Sequence, residues 1–205
     1  MAYYTTHTGR QDGAARAGFY LMGGKRILDI ALVLMFLPLW LPLVLVLWVL
    51  AWLGSGSGLY IDERVGRGGR IFGCLKIRTM PLNTPRGCAS IKVADDPRIT
   101  LFGRVLRRTS LDELPQLWCV LKGEMSLIGP RPVPELELRR YGAQKPAYLK
   151  MRPGVSGLWQ VSGRNACSYK ERIALDVEYS RSACIWLDLK IIGASVLEVF
   201  RLSGR

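Results

Sequence analysis

The chain has one histidine, His7, and five cysteines, Cys74, Cys88, Cys119, Cys167 and Cys184, with no pair at C-x-x-C spacing. A single imidazole and an odd, scattered set of thiols argue against a zinc site and a disulfide framework, and they fit a reducing compartment. A Ser or Cys nucleophile that relies on an imidazole base lacks its partner, because His7 lies in a Gly-, Ala- and Thr-rich leader. Acids are scarce: 16 Asp and Glu stand against 29 Lys and Arg, a net charge of +13 over 205 residues. That balance excludes an acidic disordered tail. The 22 Gly and 11 Pro follow no period and are too scattered for a collagen-like fibre or a low-complexity linker.

Apolar residues make up 49% of this basic chain and its mean hydropathy is positive, so they must be concentrated somewhere. They are concentrated in Ile30 to Leu53, IALVLMFLPLWLPLVLVLWVLAWL, which carries no charge. As a continuous helix it measures about 36 Å at ~1.5 Å per residue, enough to cross a bilayer core. It is too long for a signal-peptide apolar region, and no A-x-A site follows. Pro38 and Pro42 near its middle predict a bend or break. Bases flank it on both sides, Arg10, Arg16, Lys25 and Arg26 before, and Arg64, Arg67, Arg70 and Lys76 after, so positive-inside bias selects no orientation. A spanning helix and a segment that enters and returns both satisfy these observations.

Asp29 follows Lys25 and Arg26 by one helical turn, which reads either as an interfacial anchor with Asp29 paired to a base or as a solvated charge cluster. Residues 98 to 108 alternate apolar residues with Arg98, Arg104, Arg107 and Arg108, and residues 184 to 202 place Trp186, Leu189, Ile192, Val196 and Phe200 at helical spacing, as surface-lying membrane helices or core-packed helices do. The remainder, from the GSGSG turn at 54 to 58 onward, has no internal repeat. Short β-like runs (Leu59 to Ile61, Arg70 to Ile77) precede helical patterns near 98 to 109, 111 to 122, 134 to 150, 168 to 181 and 184 to 202. The predicted class is α+β, mostly helical, with a small β component.

An acid pair inside a basic cluster is informative in such a chain. Between Arg98 and Arg131 stand six bases and three acids, two of them Asp112 and Glu113. Those surroundings stabilise a carboxylate, attract an anionic substrate and, with a divalent metal, suit phosphoryl chemistry. Spacing alone favours a different role for Glu113: Ser110-Leu-Asp-Glu113 matches a capping box, although Pro115 follows closely, and Asp112 stays undecided. Gly129-Pro130-Arg131-Pro132 fixes one Arg between prolines, either a pre-organised phosphate ligand or a rigid turn with a solvated Arg. Arg152-Pro153-Gly154 and Gly163-Arg164-Asn165 flank GVSGLWQVS, whose glycines allow close backbone approach and whose Trp159 reads as core rather than a base-stacking platform.

Taken together, KRILD at 25 to 29, the proline-interrupted apolar segment, KIRTM at 76 to 80, RRTSLDELPQLWCVLKGEMSLIGPRP at 107 to 132 and RPGVSGLWQVSGRN at 152 to 165 resemble the bacterial sugar transferases, the monotopic phosphoglycosyl transferases. The resemblance runs from about Lys25 to Gly204. It implies a flexible leader over 1–22, a re-entrant helix-break-helix over 23–54 with amphipathic interfacial helices beyond it, and a catalytic domain over 55–205 on the cytoplasmic face of the inner membrane. It also implies a short catalytic-core form without an N-terminal membrane bundle. The implied reaction is Mg2+-dependent transfer of a sugar 1-phosphate from a UDP-sugar to undecaprenyl phosphate with release of UMP. Asp112 would be the nucleophile and a metal contact, and Glu113 would position or activate the acceptor. Arg107, Arg131 and Arg164 match arginines near the phosphates and nucleotide, and Lys76 sits in a matching basic motif. Lys25, Arg26 and Asp29, with Pro38 and Pro42, match the membrane anchor and its break. Two positions depart from the pattern: Leu41-Pro42 replaces a common Ser-Pro, removing a hydroxyl that satisfies a freed carbonyl, and Cys119 stands where Asn is common.

GLWQVSGRN is closest to the hexose-transferring branch, making galactose or glucose the expected sugar. Membrane lipid is an expected partner, a homodimer is compatible with the reading, and nucleic acid is not expected. The rivals are a glycosyltransferase that moves the sugar alone and releases UDP, and a membrane-anchored protein whose bases bind anionic lipid or nucleic acid without catalysis.

Overall fold

The structure, a computed structural model, describes residues 20–84, 96–163 and 167–200. Most of the expected leader, His7, Cys88 and Arg164 lie outside the described residues. After a wide turn at Tyr20–Gly24, helix α1 (Lys25–Met35) ends at Phe36 and helix α2 (Leu37–Ser55) follows directly. The helical ladder lapses just before both prolines rather than at them. Pro38 is the second residue of α2, where its missing N–H costs little and its fixed φ favours helix initiation. Pro42 lies inside α2, which continues through it. One carbonyl next to the break finds a side-chain donor: Trp40 Nε1 donates to Val33 O at 3.0 Å.

Helix α2 is long and apolar enough to cross a membrane, yet only 17% of its apolar window is buried. Its buried side chains, Trp40, Leu47 and Ala51, form a narrow stripe against the rest of the protein, while residues such as Leu39, Trp52 and Leu53 stand exposed. Leu47 and Ala51 pack with Ile77 and Leu106. Trp40 and Val33 pack with Phe72, Cys74, Cys119, Val120 and Met125.

Strands β1 (Leu59–Val65) and β2 (Ile71–Ile77) form an antiparallel hairpin that pairs Tyr60 with Lys76 and Asp62 with Cys74. Helix α3 (Leu101–Thr109) starts at Thr100, whose hydroxyl accepts the Gly103 N–H at 2.9 Å. A short turn over Leu111–Glu113 leads into helix α4 (Gln116–Lys122). Strand β3 (Ser126–Ile128) pairs in parallel with β4 (Gly154–Ser156), and this is where the two glycine-bearing motifs meet. A Cβ on Gly154 would lie 2.1 Å from Gly129 N, and one on Gly129 would lie 2.4 Å from Arg152 O, so both positions require a residue without a side chain.

The helical pattern expected over 134 to 150 is divided. Helix α5 (Glu135–Leu138) and helix α6 (Lys145–Lys150) are separated by a tight turn in which Gly142 takes a φ of 49°. Helix α7 (Leu158–Ser162), helix α8 (Tyr169–Ser182) and helix α9 (Ile185–Phe200) complete the described chain. The pattern near 184 to 202 is therefore one helix, with Ile191 and Asp188 buried and Trp186, Leu189 and Val196 facing outward. On α3, Leu101 and Val105 face outward in the same way beside Arg104 and Arg108.

The base of α1 is fastened by buried polar groups, and its pairing differs from the one anticipated within the 25 to 29 cluster. Lys25 forms an ion pair with Asp188 of α9, which also accepts hydrogen bonds from Tyr20 and from Tyr179 of α8. Arg26 donates to the carbonyls of Val120 and Leu121 at the end of α4. The Asp29 carboxylate takes the Ser126 hydroxyl at 2.7 Å and the Leu127 N–H at 3.0 Å. Asp29 thus satisfies the start of β3 rather than a base one turn away. Sequence spacing could not reveal this, because the partners lie about a hundred residues downstream.

Candidate active site

Asp112 and Glu113 occupy the turn between α3 and α4, and the geometry of that turn begins at Ser110. Ser110 ends α3 in the left-handed region, with φ 60°, and is the one non-glycine residue with positive φ among those described. A left-handed residue cannot adopt the extended conformation of an N-cap, so the anticipated capping box does not form and the Ser110 side chain makes no cap. Glu113 points instead to the bases: its Oε1 accepts from Lys76 Nζ at 3.1 Å and from Arg131 NH2 at 3.3 Å. The capping box is found elsewhere, at α8. There the Ser168 hydroxyl accepts the Glu171 N–H and the Glu171 carboxylate accepts the Ser168 N–H. The S-x-x-E spacing at 168 to 171 carries that signal, and the sequence reading did not use it.

Each of the three bases is set by its own local device. Lys76 extends from β2 across from Tyr60. In the same KIRTM motif, Thr79 Oγ1 accepts from Arg107 Nε at 2.9 Å and orients the last turn of α3. Gly103 permits this closeness, since a Cβ there would sit 2.4 Å from the Thr79 carbonyl. Arg131 lies between prolines and over the ring of Trp159, at 5.6 Å from its centroid. Arg172 of α8 lies 5.0 Å from the same centroid and pairs with Glu137. Trp159 is buried, in agreement with its reading as core.

Two buried side chains without a role in the sequence analysis, Tyr148 and Asp176, lie behind the Arg131 segment. Tyr148 donates to Val65 O at 2.8 Å and accepts from Val133 N, tying the chain just after Arg131 to the end of β1. Asp176 of α8 accepts from Tyr141 OH at 2.7 Å and lies within the electrostatic reach of Arg172 and Arg131. An acid between Leu175 and Val177, one turn from Ile173 and Tyr179, was the available signal for it. Burial pushes the Asp176 carboxyl up to about 6, against the lowering effect of the Tyr141 hydrogen bond and the Arg172 and Arg131 charges.

Asp112 is half-buried and makes no hydrogen bond among the described residues. Burial first, and the neighbouring Glu113 charge second, push its carboxyl upward, while Lys76, Arg107 and Arg131 pull it down. Lys76 and Arg131 therefore act on both acids and Arg107 on Asp112, so the three bases of separate motifs meet at this turn. Arg164 lies outside the described residues. Cys74, at the back of the site, is fully buried and its thiol is pushed up to about 12, so it is protonated and inert at neutral pH. Cys119 is also buried, and its thiol donates to Gly73 O, giving that position a small partner for the β2 backbone.

No group of three metal-ligating side chains is present among the described residues. The acid pair nevertheless fits Mg2+, which is commonly held by one or two carboxylates and completed by substrate phosphates and water rather than by an all-protein cage. Asp112, with both carboxylate oxygens free of hydrogen bonds to the described residues, is the residue suited to that contact.

A family model described as bacterial sugar transferase matches residues 20–202. The chain is 41% identical over 195 residues to the UDP-galactose-lipid carrier transferase of Erwinia amylovora. It is 40% identical over 195 residues to the undecaprenyl-phosphate galactose phosphotransferase of Salmonella typhimurium. Each of these alignments covers 88% of this chain and 41% of the relative, so the chain spans about two fifths of their length. Similarity to the exopolysaccharide production protein ExoY of Sinorhizobium fredii is 41% over 201 residues, covering 89% of this chain and 87% of the relative.

Proposed function

The chain belongs to the bacterial sugar transferase family, and from that premise we propose that it transfers a sugar 1-phosphate from a UDP-sugar to undecaprenyl phosphate and releases UMP. The observation that carries the reading is the convergence of Lys76, Arg107 and Arg131 on the Asp112-Glu113 turn, beside a helix apolar enough for a membrane. An anionic diphosphate needs such a cluster before a carboxylate can approach it. Undecaprenyl phosphate as acceptor follows the name of the Salmonella relative, and galactose the names of the Salmonella and Erwinia relatives; glucose is the second candidate.

In the proposed reaction, an Asp112 carboxylate oxygen forms a bond to the β-phosphorus of the donor. The bond from that phosphorus to the bridging oxygen breaks, and UMP leaves with the electron pair, giving a phosphosugar-aspartate. A phosphate oxygen of the acceptor then bonds to the same phosphorus, and the Asp112 carboxylate is released. Lys76 and Arg131 neutralise charge on the transferred group, Arg107 acts near Asp112, and Glu113 orients the acceptor phosphate. Bound Mg2+, held by Asp112, would supply further positive charge at the diphosphate. Helices α1 and α2 enter and leave the membrane on the cytoplasmic side, and the outward apolar residues of α3 and α9 rest on its surface, so that the site meets the lipid phosphate.

The deciding experiment mixes purified protein, Mg2+ and undecaprenyl phosphate with a panel of UDP-sugars and identifies the released nucleotide. UMP supports phosphosugar transfer and names the donor; UDP overturns it in favour of plain glycosyl transfer. Asp112→Asn is expected to abolish release while membrane attachment persists, and full activity in that variant would overturn the covalent step.

A further inference from the structure

Gln116 is the first residue of α4, three positions after Glu113, and it is 1% exposed. It lines a niche of about 10 Å³ together with Arg64, Cys74, Lys76, Glu113 and Arg131. That is room for roughly one oxygen atom. Its carboxamide, with two N–H donors and one acceptor oxygen, makes no hydrogen bond to any described residue. Neither of its polar atoms is among the fully enclosed partnerless ones, so the amide faces the niche, where a partner from outside can reach it.

The walls of the niche say what that partner is. Arg64 is occupied, bonded to Asp62 and to the Pro132 carbonyl at 3.2 Å. Lys76 and Arg131 share a single oxygen, Glu113 Oε1, so two cations lean on one acceptor and have donor capacity left over. Cys74 is a buried, protonated thiol. The niche is therefore surplus in donors, and the group that fits it is an acceptor-only anionic oxygen of phosphate type.

We propose that Gln116 is a substrate-binding residue whose carboxamide N–H donates to a phosphoryl oxygen held between Lys76 and Arg131. This rests on the proposed function for the identity of the phosphoryl group, which belongs either to the donor diphosphate or to the lipid acceptor. Sequence reading gave Gln116 no role, because an amide beside a catalytic acid pair looks the same as one on a solvated helix.

Two variants test it. Gln116→Met keeps the length and loses the amide; Gln116→Glu keeps the shape and loses both N–H donors, and it decides the matter if the methionine variant does not fold. With both folded to the wild-type melting temperature, UMP release is measured as a burst without acceptor and as turnover with undecaprenyl phosphate. A burst at least tenfold slower places the oxygen on the donor. An unchanged burst with turnover at least tenfold slower, and a raised KM for undecaprenyl phosphate, places it on the lipid. Burst and turnover both within twofold of wild type overturn the proposal and leave the niche to a water molecule. Binding of inorganic pyrophosphate, measured by calorimetry, is the arm that needs no turnover. If the wild-type protein releases no UMP, the functional reading fails, while tenfold weaker pyrophosphate binding by the variants still supports the phosphate-type contact and equal binding overturns it.

Discussion

The two ends of helix α1 are built on opposite rules. At its start, charged and polar side chains are buried: Lys25, Asp29 and Asp188 are each less than 10% exposed, and all find partners. Beyond its end, α2 leaves leucines and tryptophans uncovered, with Leu39 and Leu53 each 70% exposed. In water the second arrangement is unfavourable and the first is affordable only because every group is paired. The contrast shows how the chain divides its work. The apolar helix is finished by its surroundings, whereas the site beside it is finished by protein contacts that reach across the whole sequence.

The largest effect is expected from breaking the polar fastening. Lys25→Met leaves the Asp188 carboxylate buried with only the Tyr20 and Tyr179 hydroxyls, and loss of one partner of a buried pair costs about 3–5 kcal/mol. Denaturant unfolding in detergent is expected to show that loss, and Lys25→Met with Asp188→Asn to recover most of it. A single variant as stable as wild type would mean that the base of α1 is not held by this pair. The opposite substitution probes the apolar side. Leu45→Arg places a charge on the exposed face near the middle of α2 and should cost about 3 kcal/mol of membrane insertion. Liposome flotation is expected to fall while the soluble fold, read by near-ultraviolet dichroism, stays intact.

The same division explains what could be read from the sequence. The apolar segment was legible because its signal is local: 24 uncharged residues from Ile30 to Leu53 need no partner to be recognised. The hairpin strands and helices α3, α8 and α9 were legible for the same reason, as periodic runs. The roles of Asp29, Gln116, Tyr148 and Asp176 were not, since each is defined by a partner 35 or more residues away or by a cavity shared among several elements. The acid pair fell between. Composition picked out Asp112 and Glu113, but local spacing assigned Glu113 to a cap, and only the left-handed Ser110 turns it toward Lys76 and Arg131.

A pH experiment sharpens the polar half of the comparison. The Asp176 carboxyl has its folded value raised to about 6 from an ordinary 3.8, so between those values the folded protein holds a proton that the unfolded chain has lost. Its contribution therefore favours folding most at low pH, declines as pH rises from about 4 to 6, and is flat above. The full swing is on the order of 2–3 kcal/mol for two pH units. Asp176→Asn is expected to remove that decline from the difference between variant and wild-type stability curves. The amide oxygen still accepts from Tyr141, so the variant tests burial of the charge.

The smallest effect concerns the bend, where the two rules meet. A Ser-Pro pair at 41–42 would offer a hydroxyl inside α2, but α2 continues through Leu41-Pro42 and the ladder lapses earlier, at Phe36. The structure supplies a different donor. Phe36 N–H still reaches Leu32 O at 3.1 Å, but past it the ladder restarts, with both Leu39 and Trp40 donating to Phe36 O. Val33 O, one turn back, accepts the Trp40 indole N–H at 3.0 Å, and the Trp40 ring is buried in the core with Val33 and Phe72. Trp40 therefore serves both halves at once, as apolar packing and as the polar group that an apolar medium requires. Trp40→Phe keeps most of the ring and removes only the donor, and it should lower thermal stability in lipid discs by about 1 kcal/mol. Trp52→Phe, on the exposed face of α2, is the matched control and is expected to cost less. Equal losses in the two variants would assign the bend to packing alone, and the indole contact would then have no part in holding it.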